Sequence, residues 1–221
     1  MRIGIIGAGH IGGNIARQAV RVGHDVILSH SRRPETLERL AAELGPHAMH
    51  ATVREAVENA NIVILSVPWK VVDAALEAAG PLNGRVVVDT TNYFGIGLGP
   101  AQGQTAAAFN AGRMPHARYV KCFNTLTAAF QAEAALRSGD GRVVQWLCGE
   151  DAGAVQLVET FVDSLGYVPV DLGGVNDCAV MESPRRPGSV YGEEYRSAEA
   201  LLVVQAVRSG RPIPPIPVYQ P

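Results

Sequence analysis

No stretch of this 221-residue chain approaches the ~18 consecutive apolar residues that a membrane-spanning helix requires. Its charges nearly cancel, with 19 Lys and Arg against 21 Asp and Glu. A net charge of −2 supplies no chain-wide field for nucleic acid or an anionic membrane, and neither is expected as a partner. Cysteine is scarce: Cys122, Cys148 and Cys178 are widely spaced and form no C-x-x-C. They read as reduced thiols, with Cys122 and Cys148 in strand-like runs expected to be buried. No His/Cys spacing suits zinc, so no metal site is expected. The histidines at 10, 24, 30, 47, 50 and 116 pair with no nucleophile, and no catalytic dyad is visible. A strand-like run beginning at residue 2 leaves no room for a cleaved leader. With the other absences, it predicts a soluble, cytoplasmic protein.

What the chain has is enough apolar material for a core, 47% of its residues, arranged in alternating short runs and helical periods. Buried strands are read at residues 2–6, 26–29, 62–67, 86–89, 119–123 and 143–148, with a short one near Met49 and an edge strand at 168–170. Helical spacing lies between them, over 12–22, 35–44, 52–58, 71–79, 105–111, 126–136 and 155–165. This alternation predicts an α/β fold, a Rossmann-like doubly wound and mostly parallel sheet over residues 1–175. Residues 176–221 read as a short helical appendage: a loop, one helix over 197–208 and the tail "RPIPPIPVYQP", which cannot continue a helix.

The turn after the first strand reads "GAGHIG", so Gly7, Gly9 and Gly12 fit G-x-G-x-x-G. The first glycine permits a tight turn, the second a close approach of backbone to a pyrophosphate, and the third close helix–strand packing. The helix opening there turns its free N–H groups and positive dipole end toward phosphates. The turn follows a strand, opens a helix and leads to a second strand, the context that a dinucleotide site requires.

At the end of the second strand an NAD site usually carries Asp or Glu for the ribose hydroxyls. Here the residues are Ser31, Arg32 and Arg33. Guanidinium forks suit a 2′-phosphate, and a charge-assisted hydrogen bond contributes about 1.5–3 kcal/mol. Two such contacts give a preference for NADP over NAD on the order of a hundredfold. NADP(H) is therefore the expected cofactor.

Ligands of this fold lie outside the carboxyl ends of the strands. Val67 and Pro68, at the end of one strand, are placed to flank the diphosphate bridge or a ribose. Asn92, Asn124 and Thr125, at two others, offer amide and hydroxyl groups for a carboxamide or a substrate. Asn92 reads equally as a turn residue, and Asn124 as a cap for the helix that follows. Lys121 is near enough in sequence to reach the mouth of the site. The lack of an acid–base pair suits direct hydride transfer between two bound rings, which needs orientation and exclusion of water.

Taken together, "GIIGAGHIGGNIA", "SHSRRPETL", "ILSVPW", "VVVDTTN", "KCFNTL", "CGEDAGA" and "VDSLGYVPVDLGGV" resemble the NADP-dependent deazaflavin oxidoreductase family. Its members pass hydride between NADPH and the 5-deazaflavin coenzyme called factor 420. The chain is also similar to the reductase domains of the STEAP metalloreductases and to the amino-terminal domains of pyrroline-5-carboxylate reductases. The resemblance implies that Gly7, Gly9, His10, Ile11 and Gly12 line the pyrophosphate and that Ser31, Arg32 and Arg33 hold the 2′-phosphate. It places Val67, Pro68 and Asn124 near the nicotinamide, and it implies a homodimer. The segments "NYFGIGLGPAQGQT" and "MESPRRPGSVYGEEYRSAEALLVVQAVRSG" do not map onto the family. The small-molecule acceptor is expected to be a deazaflavin or a flavin. The alternatives are an imine or carbonyl substrate, or a non-catalytic NADP(H) sensor.

Overall fold

A computed structural model describes residues 1–29 and 34–219. Eight strands, β1 (Arg2–Ile6), β2 (Asp25–Ser29), β3 (Ala48–His50), β4 (Ile62–Leu65), β5 (Val86–Asp89), β6 (Arg118–Cys122), β7 (Val144–Gly149) and β8 (Val168–Asp171), form one sheet in the order β3-β2-β1-β4-β5-β6-β7-β8. All neighbours are parallel except β6 and β7. The helices between them are α1 (His10–Arg21), α2 (Pro34–Leu44), α3 (Val53–Glu58), α4 (Val72–Ala79), α5 (Ala106–Gly112), α6 (Ala128–Ala134) and α7 (Ala152–Ser164), with α8 (Ser197–Arg208) beyond the sheet.

The strands are apolar on both faces because helices cover both. Ile3, Ile5, Ile62, Ile64 and Val88 point to one core, shared with residues of α1, α2, α6 and α7 such as Ile15, Leu40, Ala134 and Phe161. Their neighbours in sequence, Ile6, Val63, Leu65 and Val87, point to the other, as the two-residue period of a strand dictates. That second core takes residues of α3, α4, α5 and α8. The chain after β8 contributes Cys178, Met181, Val190, Tyr195, Ala200 and Val203 to it. All three cysteines are buried as free thiols.

The order of strands reverses between β1 and β4, paired from Ile3↔Ile62 to Ile6↔Leu65. At this switch point the crossovers leave in opposite directions and open a crevice above the strand ends.

Candidate functional site

The turn after β1 opens into that crevice. Gly7 has φ 101°, and a Cβ on it would sit 2.3 Å from the Ser66 carbonyl oxygen and 2.8 Å from Cγ1 of Val67. The conformation and the crowding both demand glycine. A Cβ on Gly12 would lie 2.0 Å from the Gly7 carbonyl oxygen, so α1 rests directly on the turn. Gly9 is different: a Cβ there would meet nothing within 4 Å. It caps α1 without a side-chain hydrogen bond, and no acidic residue occupies the first turn of the helix. The free amides of a twelve-residue helix thus face an open surface, the arrangement a diphosphate needs. His10 is exposed and Ile11 half-buried at this end. Val67 is buried beside Gly7, and Pro68 is exposed at the rim.

On one side of the turn a cavity of about 320 Å³ lies between α1 and α2, lined by Gly9, His10, Arg17, Thr36 and Arg39 among others. Arg17 and Arg39 were not singled out by the sequence reading. The signal was present: His10, Asn14 and Arg17 follow a helical period on α1, as Thr36, Arg39 and Glu43 do on α2. Glu43 lies 3.5 and 3.9 Å from the two guanidinium groups on the surface, weak ion pairs that leave the cations available. Ser31, Arg32 and Arg33 lie outside the described residues.

On the other side a cavity of about 260 Å³ joins Ile11 to the ends of β5 and β6. Asn92 and Asn124 meet in its wall: Asn92 Nδ2 donates to the Asn124 carbonyl at 2.8 Å, and Asn124 Nδ2 donates to Asn92 Oδ1 at 3.1 Å. Asn124 Nδ2 also donates to the Met181 carbonyl at 2.7 Å, tying the site to the chain after β8. Phe123, buried in the left-handed region at φ 59°, turns the backbone into this geometry at a cost of about 1–3 kcal/mol. Asn124 Oδ1 and the Thr125 hydroxyl are buried and have no partner among the described residues. Asn124 does not cap the helix that follows: α6 starts at Ala128, and the Thr127 hydroxyl accepts from Phe130 N. The cap falls there because Phe123–Leu126 are consumed by the turn.

Beneath the cavity floor is a buried polar cluster. Lys121 does not reach the mouth of the site. It is fully buried, its ammonium 3.1 Å from Asp89 Oδ2 and donating to the Thr91 carbonyl. Asp89 also accepts from Tyr119 Oη at 2.7 Å, Asn110 Nδ2 at 2.9 Å and Thr91 N at 2.8 Å. Burial pushes the Asp89 carboxyl up, but the Lys121 charge and these three hydrogen bonds together outweigh it and hold the group below its usual range. The cluster fixes the Thr91–Asn92 segment from below. Trp69 anchors the glycine-rich loop instead, donating from Nε1 to the Leu98 carbonyl at 2.8 Å with its ring 5.2 Å from that of Tyr93.

The glycine turn and the strand-end cavity both lie at the switch point of a Rossmann-like sheet, and comparison with known proteins shows similarity to NADP-dependent oxidoreductases. Residues 2–93 match the family model described as NADP oxidoreductase, coenzyme F420-dependent. A hypothetical protein of Sinorhizobium meliloti is 28% identical, with a TM-score of 0.77 over 89% of this chain and 95% of that one. A candidate F420-dependent NADP-reductase of Arthrobacter sp. FB24 is 27% identical, with a TM-score of 0.68 over 80% of this chain and 86% of that one. Metalloreductase STEAP2 of Mus musculus is 26% identical over 183 residues, 82% of this chain. The chain spans only 35% of the length of that curated relative. An imine reductase of Myxococcus stipitatus in complex with NADP+ shares the fold at 20% identity, with a TM-score of 0.60 over 80% of this chain and 56% of that one. The expected resemblance to the deazaflavin oxidoreductases is thus found over residues 2–93 and that to a STEAP reductase over 183 residues, while a pyrroline carboxylate reductase of Plasmodium falciparum shares the fold alone, at 9% identity and a TM-score of 0.53.

Proposed function

We propose that the protein transfers hydride between NADP(H) and a deazaflavin or flavin-like acceptor. The observation that carries this reading is the lining of the strand-end cavity. Ile11, Phe123 and Leu126 supply apolar wall, Asn92, Asn124 and Thr125 supply neutral polar groups, and no charged side chain among the described residues lines it. A small carboxylate substrate would enter without a counter-charge, which desolvation penalises heavily. A flat neutral ring with amide and carbonyl edges meets both kinds of wall. The F420-dependent family match over residues 2–93 supports the same acceptor class.

Bound NADPH would supply the hydride. The residues of this chain would hold and orient it: the amides at Gly9–Gly12 on the diphosphate, Ser31, Arg32 and Arg33 on the 2′-phosphate, Val67 and Pro68 beside the ribose, and Asn92 and Asn124 at the carboxamide. The proposal includes a homodimer and a cytoplasmic setting. No helix among the described residues is long and apolar enough to cross a membrane.

The test is NADPH deuterated stereospecifically at C4, offered with coenzyme F420, FMN and a panel of cyclic imines and carbonyls. Label in the reduced deazaflavin or flavin is the expected result. Label only in an imine or carbonyl product replaces the acceptor, and tight binding without transfer to any of them leaves a sensor.

A further inference from the structure

The chain after β8 puts a tyrosine into the strand-end cavity. Tyr191 lines it together with Gly192, across from Ile11. Its backbone is pinned on both sides. Val190 is fully buried and its N–H donates to the Val180 carbonyl at 2.8 Å, while the Gly192 N–H donates to the Thr125 carbonyl at 2.8 Å. Gly192 has φ 81°, so the loop turns sharply just after the tyrosine. The side chain is half-buried, and its hydroxyl makes no hydrogen bond to the described residues. Asn92, Asn124 and Thr125 line the same cavity. Among the described residues, Tyr191 is the one lining this cavity whose side chain is an acid, a phenol with a proton to give.

We propose that the Tyr191 hydroxyl is the proton donor of the reduction. This rests on the hydride-transfer reading above. Hydride delivery to the accepting ring atom (carbon in a deazaflavin or an imine, nitrogen in a flavin) places an electron pair on the nitrogen or oxygen conjugated or bonded to it, and that atom takes up one proton. The Tyr191 O–H bond breaks as the new N–H or O–H bond forms, with the acceptor reduced and NADPH oxidised. The tyrosinate regains its proton from water at the half-exposed mouth of the cavity. Burial raises the Tyr191 phenol above its ordinary value, so it stays protonated throughout the neutral range. The nearest carboxylate on its loop, Glu193, is occupied by Arg185 and does not line the cavity.

Two measurements on the whole chain test this with Tyr191→Phe. The first follows single-turnover oxidation of NADPH by coenzyme F420, FMN or 1-pyrroline in H2O and D2O. The variant should be slower by about 10²-fold and lose the solvent isotope effect, with NADPH affinity unchanged. The second needs no turnover. Saturation with NADP+, whose nicotinamide ring is cationic, should lower the titration midpoint of one tyrosine in phenolate difference absorbance, and the variant should lack that transition. Equal rates and equal isotope effects in the two proteins, or a tyrosine titration indifferent to NADP+, overturn the donor role and leave hydride transfer standing. If the wild-type protein reduces none of the three acceptors, the hydride-transfer reading falls first and the donor role falls with it.

Discussion

Lys121 and Asp89 form an ion pair 3.1 Å apart with neither side chain exposed to solvent, directly beneath the strand ends that bear Asn92 and Asn124. Such a pair adds little net stability over an apolar replacement, but breaking it strands a charge. Lys121→Met is therefore expected to cost about 3–5 kcal/mol, and the double variant Lys121→Met with Asp89→Asn to cost less. Urea midpoints of the two proteins check this; a double variant less stable than the single would show that the pair is not the source of the loss.

Gly9 and Gly12 of the first turn should separate by mechanism. Gly12→Ala forces a Cβ to within 2.0 Å of the Gly7 carbonyl, so α1 must shift, at about 1–3 kcal/mol of stability, and NADPH binding should fail with it. Gly9→Ala meets no protein atom within 4 Å. It should keep the melting temperature of the wild type while weakening NADPH binding at least tenfold, because the intruding methyl faces the ligand. Calorimetric titration beside thermal melts distinguishes the two. Unaltered affinity in Gly9→Ala would remove the diphosphate from this turn.

Selectivity between the two nicotinamide dinucleotides should reside in Arg32 and Arg33. Their joint replacement by alanine is expected to weaken NADPH binding by about a hundredfold and to leave NADH binding nearly unchanged. Comparable losses for both cofactors would show that neither arginine reads the 2′-phosphate.

Asp151 predicts an acid limit. Its carboxylate pairs with Arg118 at 2.8 Å and caps α7 by accepting from Ala154 N at 2.8 Å. The Arg118 hydrogen bond first, and the helix amide after it, lower its pKa from 3.8 to about 2. A carboxyl with a depressed folded-state pKa binds its proton more readily in the unfolded chain. Its contribution is thus complete above about pH 4 and lost as pH falls toward 2. Asp151→Asn should flatten that part of the stability profile, read from urea midpoints between pH 5 and about pH 2. An unchanged profile would assign the acid limit to other carboxylates.

Much of the architecture was legible because it is written in local patterns. The bounds of β1, β5 and α8 coincide with the apolar runs and helical period read from sequence, and Gly7 and Gly12 announce a turn that the coordinates show to be sterically obligatory. The antiparallel entry of β7 was not legible, since an apolar run buried on both faces carries no direction. Lys121 was read as able to reach the mouth of the site because its partner, 32 residues away, is not visible locally. For Asn124 a helix cap and a ligand contact were equally open, because nothing in its neighbourhood discloses that Asn92 and the Met181 carbonyl will meet it.

Local chemistry in the chain itself thus determined the alternating fold, the phosphate-facing turn and the expectation of NADP(H), for which spacing and residue type suffice. Tertiary structure alone decided which polar groups share the strand-end cavity, that a buried ion pair supports its floor, and that Tyr191 closes its side. Those arrangements join residues far apart in sequence: the pairing of β5 with β6 brings Asp89 to Lys121, and the packing of the chain after β8 into the second core brings Gly192 N to the Thr125 carbonyl and the Met181 carbonyl to Asn124.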